Sequence, residues 1–369
     1  MQATMLAGIT LGVVVFLGAF LALLPRFMRR GLPFGVYVGE RASDTDEAHR
    51  LAQRWTRGIL AWTAVALAAQ WFLGPRRGPL TAYPVALLVL LGGYFVEYVR
   101  SHRAARALAI HAPTPAAVAY VRAGAATRPL LPSLSLALSL GAGLLALGYT
   151  WFHLDDFPDR IPVHFNAAGR PDAYRPASFA SIWMLPLLTL VLGALLPLFA
   201  LLTARARRAV RRGDGGLSLV VQQRFRAMTA NFLAIVAILM AALLTVLSIG
   251  SVRVAIGAAK TLPPLVPVIA ILMVGLAVGG TAWMAFHLGQ GGARLEQAAA
   301  SAPLTNGLAD NRHWVAGLFY VNRDDPSFLV EKRFGIGYTI NFGNWRAVVL
   351  VVALLLVTLG AALAPHLLR

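Results

Sequence analysis

The chain has 369 residues, 58% of them hydrophobic and only 13% charged, and its mean hydropathy is +0.67. These values lie outside the range of soluble globular domains and indicate an integral membrane protein. The absence of cysteine excludes disulfides, thiolate metal sites and a cysteine nucleophile. The net charge of +18 comes without helix-turn-helix or zinc-finger spacing, which argues against direct nucleic-acid binding.

Eight apolar stretches are long enough to cross a hydrocarbon core of about 30 Å. They lie near Met5 to Leu24, Gly58 to Leu73, Leu80 to Val99, Pro132 to Phe152, Phe179 to Thr203, Ala227 to Ser251, Leu262 to Leu288 and Ala347 to Leu368. The second is short and forms a tight pair with the third across "GPRRGP". The pattern predicts an all-α integral membrane bundle of about eight transmembrane helices, with a short extracytoplasmic hairpin and a small cytoplasmic β-containing insertion. Its divisions are an N-terminal three-helix segment (1–99), a central membrane domain of four spans (100–288) carrying the outer loop 152–178, the inner insertion (289–346) and a final helix (347–369).

Basic residues set the orientation. With the amino terminus outside, the inner segments 26–57, 100–129, 204–226 and 289–346 hold 25 of the 33 Lys and Arg residues. The first span has no basic residue before it and "RFMRR" after it, the reverse of a signal peptide's flanks, so a retained anchor is expected. Both termini are then extracytoplasmic. The Ala, Arg and Leu bias points to a bacterial plasma membrane.

The first inner segment opens with a Pro-Phe-Gly turn and a short extended piece, Val36 to Val38. "SDTDEAHRLAQRW" then starts like a helix, with Ser43 or Asp44 as cap and acids in the first turn. As it stands, this segment reads as a structured connector lying on the membrane face.

In the outer segment, Ile161, Val163 and Phe165 alternate with Pro162 and His164, the period of a half-buried strand. "NAAG" is turn chemistry. Asn166 supplies an Asx-type bond and Gly169 a positive φ, and Pro171 follows as the chain returns through Asp172 to Tyr174. Asp155, Asp156, Asp159 and Asp172 are the outer acids, and they flank His164 and Asn166. Carboxylates beside one imidazole suit a hard or borderline cation, a cationic or amphipathic peptide, or simply the hairpin's own hydrogen bonds. No HExxH-type spacing puts them on one face, so no metal or other cofactor is assigned. His164 either turns toward the acids or bonds to the turn.

The inner insertion contains "WVAGLFYV" and "FLVEKRFGIGYTINF", aromatic and β-branched, separated by a turn, "NRDDPS". Trp314, Phe319, Tyr320, Phe334 and Tyr338 are expected core residues. Asn322, Asp324, Asp325 and Pro326 fit a turn better than a cation loop, because the EF-hand pattern is absent. Trp314, Tyr320, Asn322, Asp325, Lys332 and Arg333 are candidates for contact with a cytoplasmic partner, and Lys332 and Arg333 with anionic lipid.

These motifs carry a resemblance. "FPDRIPVHFNAAGRPDAY" resembles the extracytoplasmic signature of a bacterial membrane family of unknown function related to the SdpI-type toxin-immunity proteins. "LPFGVYV" resembles that family's inner loop. "RHWVAGLFYVNRDDPSFLVEKRFGIGYTINFGN" looks like a second uncharacterised domain found in longer members. The resemblance implies a receptor or immunity role: a peptide or envelope-active ligand outside, and a cytoplasmic regulator recruited inside.

Other classes have less support. The spans contain no Asp, Glu97 lies a turn from Arg100, and His287 is at a span end, so a buried dyad for intramembrane hydrolysis is missing. An extracytoplasmic metal-dependent activity would have to be built on His164 and the acids. Ion-coupled transport lacks a midplane charge. Helices broken at Pro84, Pro186 and Pro197, with a close-packing face at Gly275 and Gly279, leave substrate transport as one alternative. A structural subunit of a larger membrane complex is another.

Overall fold

The computed structural model describes residues 2–39, 42, 44–109, 119–121, 130–166, 168–206, 208–210, 217–292, 294, 311–335, 337–353 and 355–356. Its helices are α1 (Gln2–Leu23), α2 (Asp46–Arg77), α3 (Pro79–Leu108), α4 (Leu130–Phe152), α5 (Phe179–Ala204), α6 (Leu217–Ala255) and α7 (Leu265–Leu288). All seven are long and apolar enough to cross a membrane. A further helix, α8, starts at residue 345 and is described as far as 356. The remainder of the expected eighth span lies outside the described residues.

Several helices run beyond their apolar stretches into basic sequence. α2 begins twelve residues before Gly58, and α3 continues past Val99 to Leu108. Amino-terminal capping explains the first extension. Thr45, rather than Asp44, is the cap, its hydroxyl accepting from Ala48 N at 3.4 Å, and Asp46 and Glu47 complement the dipole in the first turn. Ser43 lies outside the described residues. The α2–α3 turn is one residue, Gly78, at φ 80°, followed by Pro79 at the first helical position. A Ser178–Ser181 capping box starts α5.

The helices pack in two groups, α1–α3 and α4–α7. Glycines set the spacing. Gly18 admits Thr63 between α1 and α2, Gly93 admits Trp62 between α2 and α3, and Gly143 brings α4 against the Leu190 backbone of α5. Around that contact α4–α6 close on a seam of small and hydroxylic side chains, including Ser135, Ser139, Thr189, Ala237 and Ala241. Two expectations are corrected here. Gly275 and Gly279 have open space around them, and it is Gly280 that meets a neighbour, Phe232 of α6. One residue along a helix turns the face by about 100°, enough to exchange a packed position for an uncovered one. Pro84, Pro186 and Pro197 do not break their helices, which run through them uninterrupted.

Among the described residues there are four two-stranded antiparallel ladders: β1 (Ala119–Val121) with β4 (Arg208–Val210), β2 (Arg160–Phe165) with β3 (Pro171–Pro176), β5 (Trp314–Val315) with β6 (Phe319–Tyr320), and β7 (Leu329–Glu331) with β8 (Tyr338–Ile340). The β2–β3 hairpin lies at one end of the bundle. At the other, basic, end the β5–β8 unit joins the two helix groups. Phe27, just after α1, meets Phe286 of α7 edge-on at 4.8 Å. Gln290 receives the Arg29 amide at its Oε1 (3.0 Å) and donates through Nε2 to Lys332 O (2.8 Å).

Candidate functional site

The hairpin is built as its sequence chemistry requires. Asn166 Oδ1 accepts from the amides of Ala168 (2.9 Å) and Arg170 (3.1 Å), and Gly169 sits at φ 72°. The turn is anchored as well, because Gly169 O accepts from Leu262 N at 2.9 Å in the α6–α7 connection. Asp159 O accepts from Ala177 N at 2.8 Å and closes the base.

The strict alternation expected for β2 is not kept. Ile161 and Pro162 are buried and Val163 is exposed, because the ladder shifts register between Pro162 and Phe165. Pro171 pairs with Phe165. The irregularity leaves His164 beside Asp172, with Nδ1 and Oδ1 2.5 Å apart, and both side chains open to solvent. His164 is thus turned toward an acid rather than bonded to the turn.

Of the other acids, Asp156 pairs with His153 (2.8 Å), a histidine the sequence reading did not single out. Asp155 and Asp159 are exposed. Among the described residues no three of His, Asp and Glu gather as a metal site would require. Aromatic rings edge this end: Trp151, Phe152, Tyr174 and Phe179 are exposed, and Trp183 lies 6.2 Å from Trp151. The surface therefore carries both signs of charge, with Arg160, Arg170 and Lys260 exposed near the aspartates, inside an aromatic border.

At the basic end, the Pro-Phe-Gly turn is buried instead of lying on the membrane face. Phe34 takes a left-handed conformation (φ 47°, ψ 38°) and inserts its ring beside Trp55 (5.2 Å) and Phe334 (5.9 Å). Left-handed backbone costs a non-glycine residue about 1–2 kcal/mol, and full burial of a phenylalanine returns about 1.5–3 kcal/mol. The insertion therefore tolerates the strain. The Phe34 carbonyl accepts from His102 Nδ1 at 2.9 Å, which places that ring's proton on Nδ1. Tyr98 donates to Ala316 O at 2.6 Å. Val36 to Val38 is buried against the β unit, Val36 and Val38 in a cluster with Phe334 and Tyr37 in one with Trp314 and Tyr320, and Val38 N donates to Gly31 O at 2.9 Å. Asn311 holds the Tyr37 backbone from both sides, accepting from its amide (3.1 Å) and donating to its carbonyl (3.2 Å).

The residues assigned from sequence to partner contact are mostly interior to this unit. Trp314, Tyr320, Asp325 and Arg333 are buried. Arg333 donates to Asn311 Oδ1 (2.6 Å) and lies 5.0 Å from the centre of the Trp314 ring. Asp325 accepts from Tyr320 and from Ser327 N (2.9 Å), and Asn322 accepts from Asp324 N (3.0 Å), which makes "NRDDPS" a side-chain-stabilised turn. Burial pushes the Lys332 ammonium below the usual lysine range. Phe319, expected in the core, is exposed, whereas Phe334 is buried.

Sequence reasoning missed Asn341. It is fully buried, donates to the carbonyls of Asn322 (2.9 Å) and Asp325 (2.7 Å), and accepts from the amides of Asn322 (3.1 Å) and Gly343 (2.9 Å). The signal was present in "NFGN", where Gly343 leaves room for the Asn322 backbone. Buried Arg29 forms an ion pair with Glu331 at 3.1 Å, linking the end of the first span to β7.

Comparison with known proteins falls on these two regions. Residues 142–190, from the middle of α4 through the hairpin to the middle of α5, match a domain of unknown function (DUF1648). Residues 323–348, from the turn through β7 and β8 to the start of α8, match a family of unknown function (DUF5808). No curated protein and no solved structure matches the chain. The chain is a multi-span membrane protein that carries matches to two domains of unknown function.

Proposed function

We propose that the chain is a non-enzymatic membrane protein of the receptor or immunity type, set in a bacterial plasma membrane with its hairpin extracytoplasmic. The hairpin and the adjoining helix ends receive a cationic, amphipathic peptide, and the β unit with its 31–38 loop faces a cytoplasmic regulator. One observation carries this reading. Exposed carboxylates at Asp155, Asp156, Asp159 and Asp172 lie within a border of exposed rings at Trp151, Tyr174 and Phe179. These aspartates, interspersed with exposed Arg160 and Arg170, are the sites that the basic face of such a peptide would engage, and the rings those for its apolar face.

The test is binding of a helical lysine-leucine peptide to the protein in lipid nanodiscs. Saturable binding that weakens with salt and falls at least about tenfold when the four aspartates become asparagine supports the reading. Binding no greater than to empty nanodiscs, or unchanged in the asparagine variant, rejects it.

A second reading, a structural subunit of a larger membrane complex, is favoured by α7, which packs mainly on α6 and leaves Ile271, Leu272 and Trp283 uncovered. Purification in mild detergent with a fixed stoichiometric membrane partner supports it. Transport loses one of its arguments, because the proline-containing helices are continuous.

A further inference from the structure

The β5–β8 unit is wedged among helix ends. Tyr98 of α3 bonds to Ala316 beside β5, the Phe225 ring of α6 lies tilted 6.3 Å from that of Tyr338 of β8, and Gln290 just beyond α7 bonds to Lys332. It therefore lies at the depth where the spans leave the bilayer.

On the unit's outer side, Val315 and Phe319 are cross-strand partners, both exposed. Phe319 meets Phe342 edge-on at 5.6 Å, and Phe342 leads in three residues to Trp345, the first residue of α8. Trp345, Val349, Val352 and Leu356 recur at the spacing of one helical face, and all are exposed. In a membrane span such a face meets lipid. The apolar surface of the unit is thus a direct continuation of the lipid-facing stripe of α8. The Arg346 guanidinium, 5.5 Å from the centre of the Trp345 ring, has the reach to remain among headgroups while the ring is submerged.

We infer that Val315, Phe319, Phe342 and Trp345 form a lipid-inserting edge by which the β unit rests in the boundary between acyl chains and headgroups. The occupant of this surface is lipid, and the unit behaves as an interfacial element fixed to the bundle.

Because the chain has no cysteine, a single nitroxide probe is readily placed. Full-length Phe319→Cys and Phe342→Cys proteins, spin-labelled in vesicles of phosphatidylcholine and phosphatidylglycerol, are compared with Asp324→Cys on the exposed turn and Leu356→Cys on α8. Unlabelled variants must melt like the parent in detergent. Lipid insertion predicts that dissolved oxygen broadens the 319, 342 and 356 signals more than a water-soluble nickel chelate does, with the order reversed at 324. Labels at 319 and 342 that are as open to nickel as 324 overturn the inference. Shielding from both relaxants also overturns it, and assigns protein instead of lipid as the cover.

Discussion

Gly35 and Gly317 touch backbone to backbone. A Cβ on Gly35 would lie 2.7 Å from the Gly317 carbonyl oxygen, and one on Gly317 would lie 2.9 Å from that of Gly35. Both glycines are left-handed, and each follows a non-glycine residue with positive φ, Phe34 and Ala316. Two strained turns, far apart in sequence, thus lock by direct backbone approach. Gly317→Ala combines left-handed strain with overpacking, and is expected to destabilise the β unit by about 2–4 kcal/mol. Thermal unfolding in detergent measures it. A change under about 0.5 kcal/mol would show that the joint is not closed in solution.

Helix contacts in the second group give a paired prediction. Gly143→Ala sets its methyl 2.7 Å from the Leu190 Cα, where only backbone can yield, whereas Gly275→Ala enters open space. The first should cost about 1–3 kcal/mol and the second close to nothing. Equal melting temperatures for the two variants would refute the α4–α5 contact.

Lys332 provides a pH signature. Burial lowers its pKa in the folded protein, so the unfolded chain binds the proton more tightly. The desolvation penalty is therefore fully present at pH values below the folded pKa, and is relieved as pH rises from there toward the unfolded lysine value. Stability of the parent should climb relative to Lys332→Met across that alkaline window, with the variant the more stable at neutral pH. Melting curves in detergent from neutral to about pH 10 record the difference, and parallel curves would contradict it.

Asn341→Ala leaves buried donors and acceptors on Asn322, Asp325 and Gly343 without their shared partner. The expected cost is about 3 kcal/mol or more. Hydrogen exchange should accelerate at the amides of Asn322 and Gly343 while those of α4 to α6 stay protected. Uniform exchange throughout the protein would indicate global loosening instead.

Much of this architecture was readable in the chain because its signals are local. Charge-free runs located seven helices, "GPRRGP" gave the turn at Gly78, and "NAAG" gave both the Asx bonds of Asn166 and the positive φ of Gly169. Phase was harder. Gly275 and Gly279 have the spacing of a packing face, but only the position of α6 reveals that Gly280 is the one covered. The setting of Phe34 was inaccessible for another reason. Residues 32–38 show little local sign of burial, since Trp55 and Tyr98 cover them only in part and the groups that complete the cover, Asn311, Gly317 and Phe334, lie about 270–300 positions downstream. The register shift that places His164 beside Asp172 likewise has no marker in the alternating sequence of β2.

The distance along the chain between Phe34 and its cover also bears on biosynthesis. At about 5–20 residues per second, the segment that completes the burial of the Pro-Phe-Gly turn emerges tens of seconds after the first helix has been inserted. Throughout that interval the loop has only Trp55, Tyr98 and their neighbours on α2 and α3 to pack on while the remaining spans are threaded, and a late part of the polypeptide completes an early one. Premature termination beyond α7 would leave every earlier helix in place and this joint permanently unsealed, with Phe34 packed on Trp55 but without Phe334 or the Gly317 backbone.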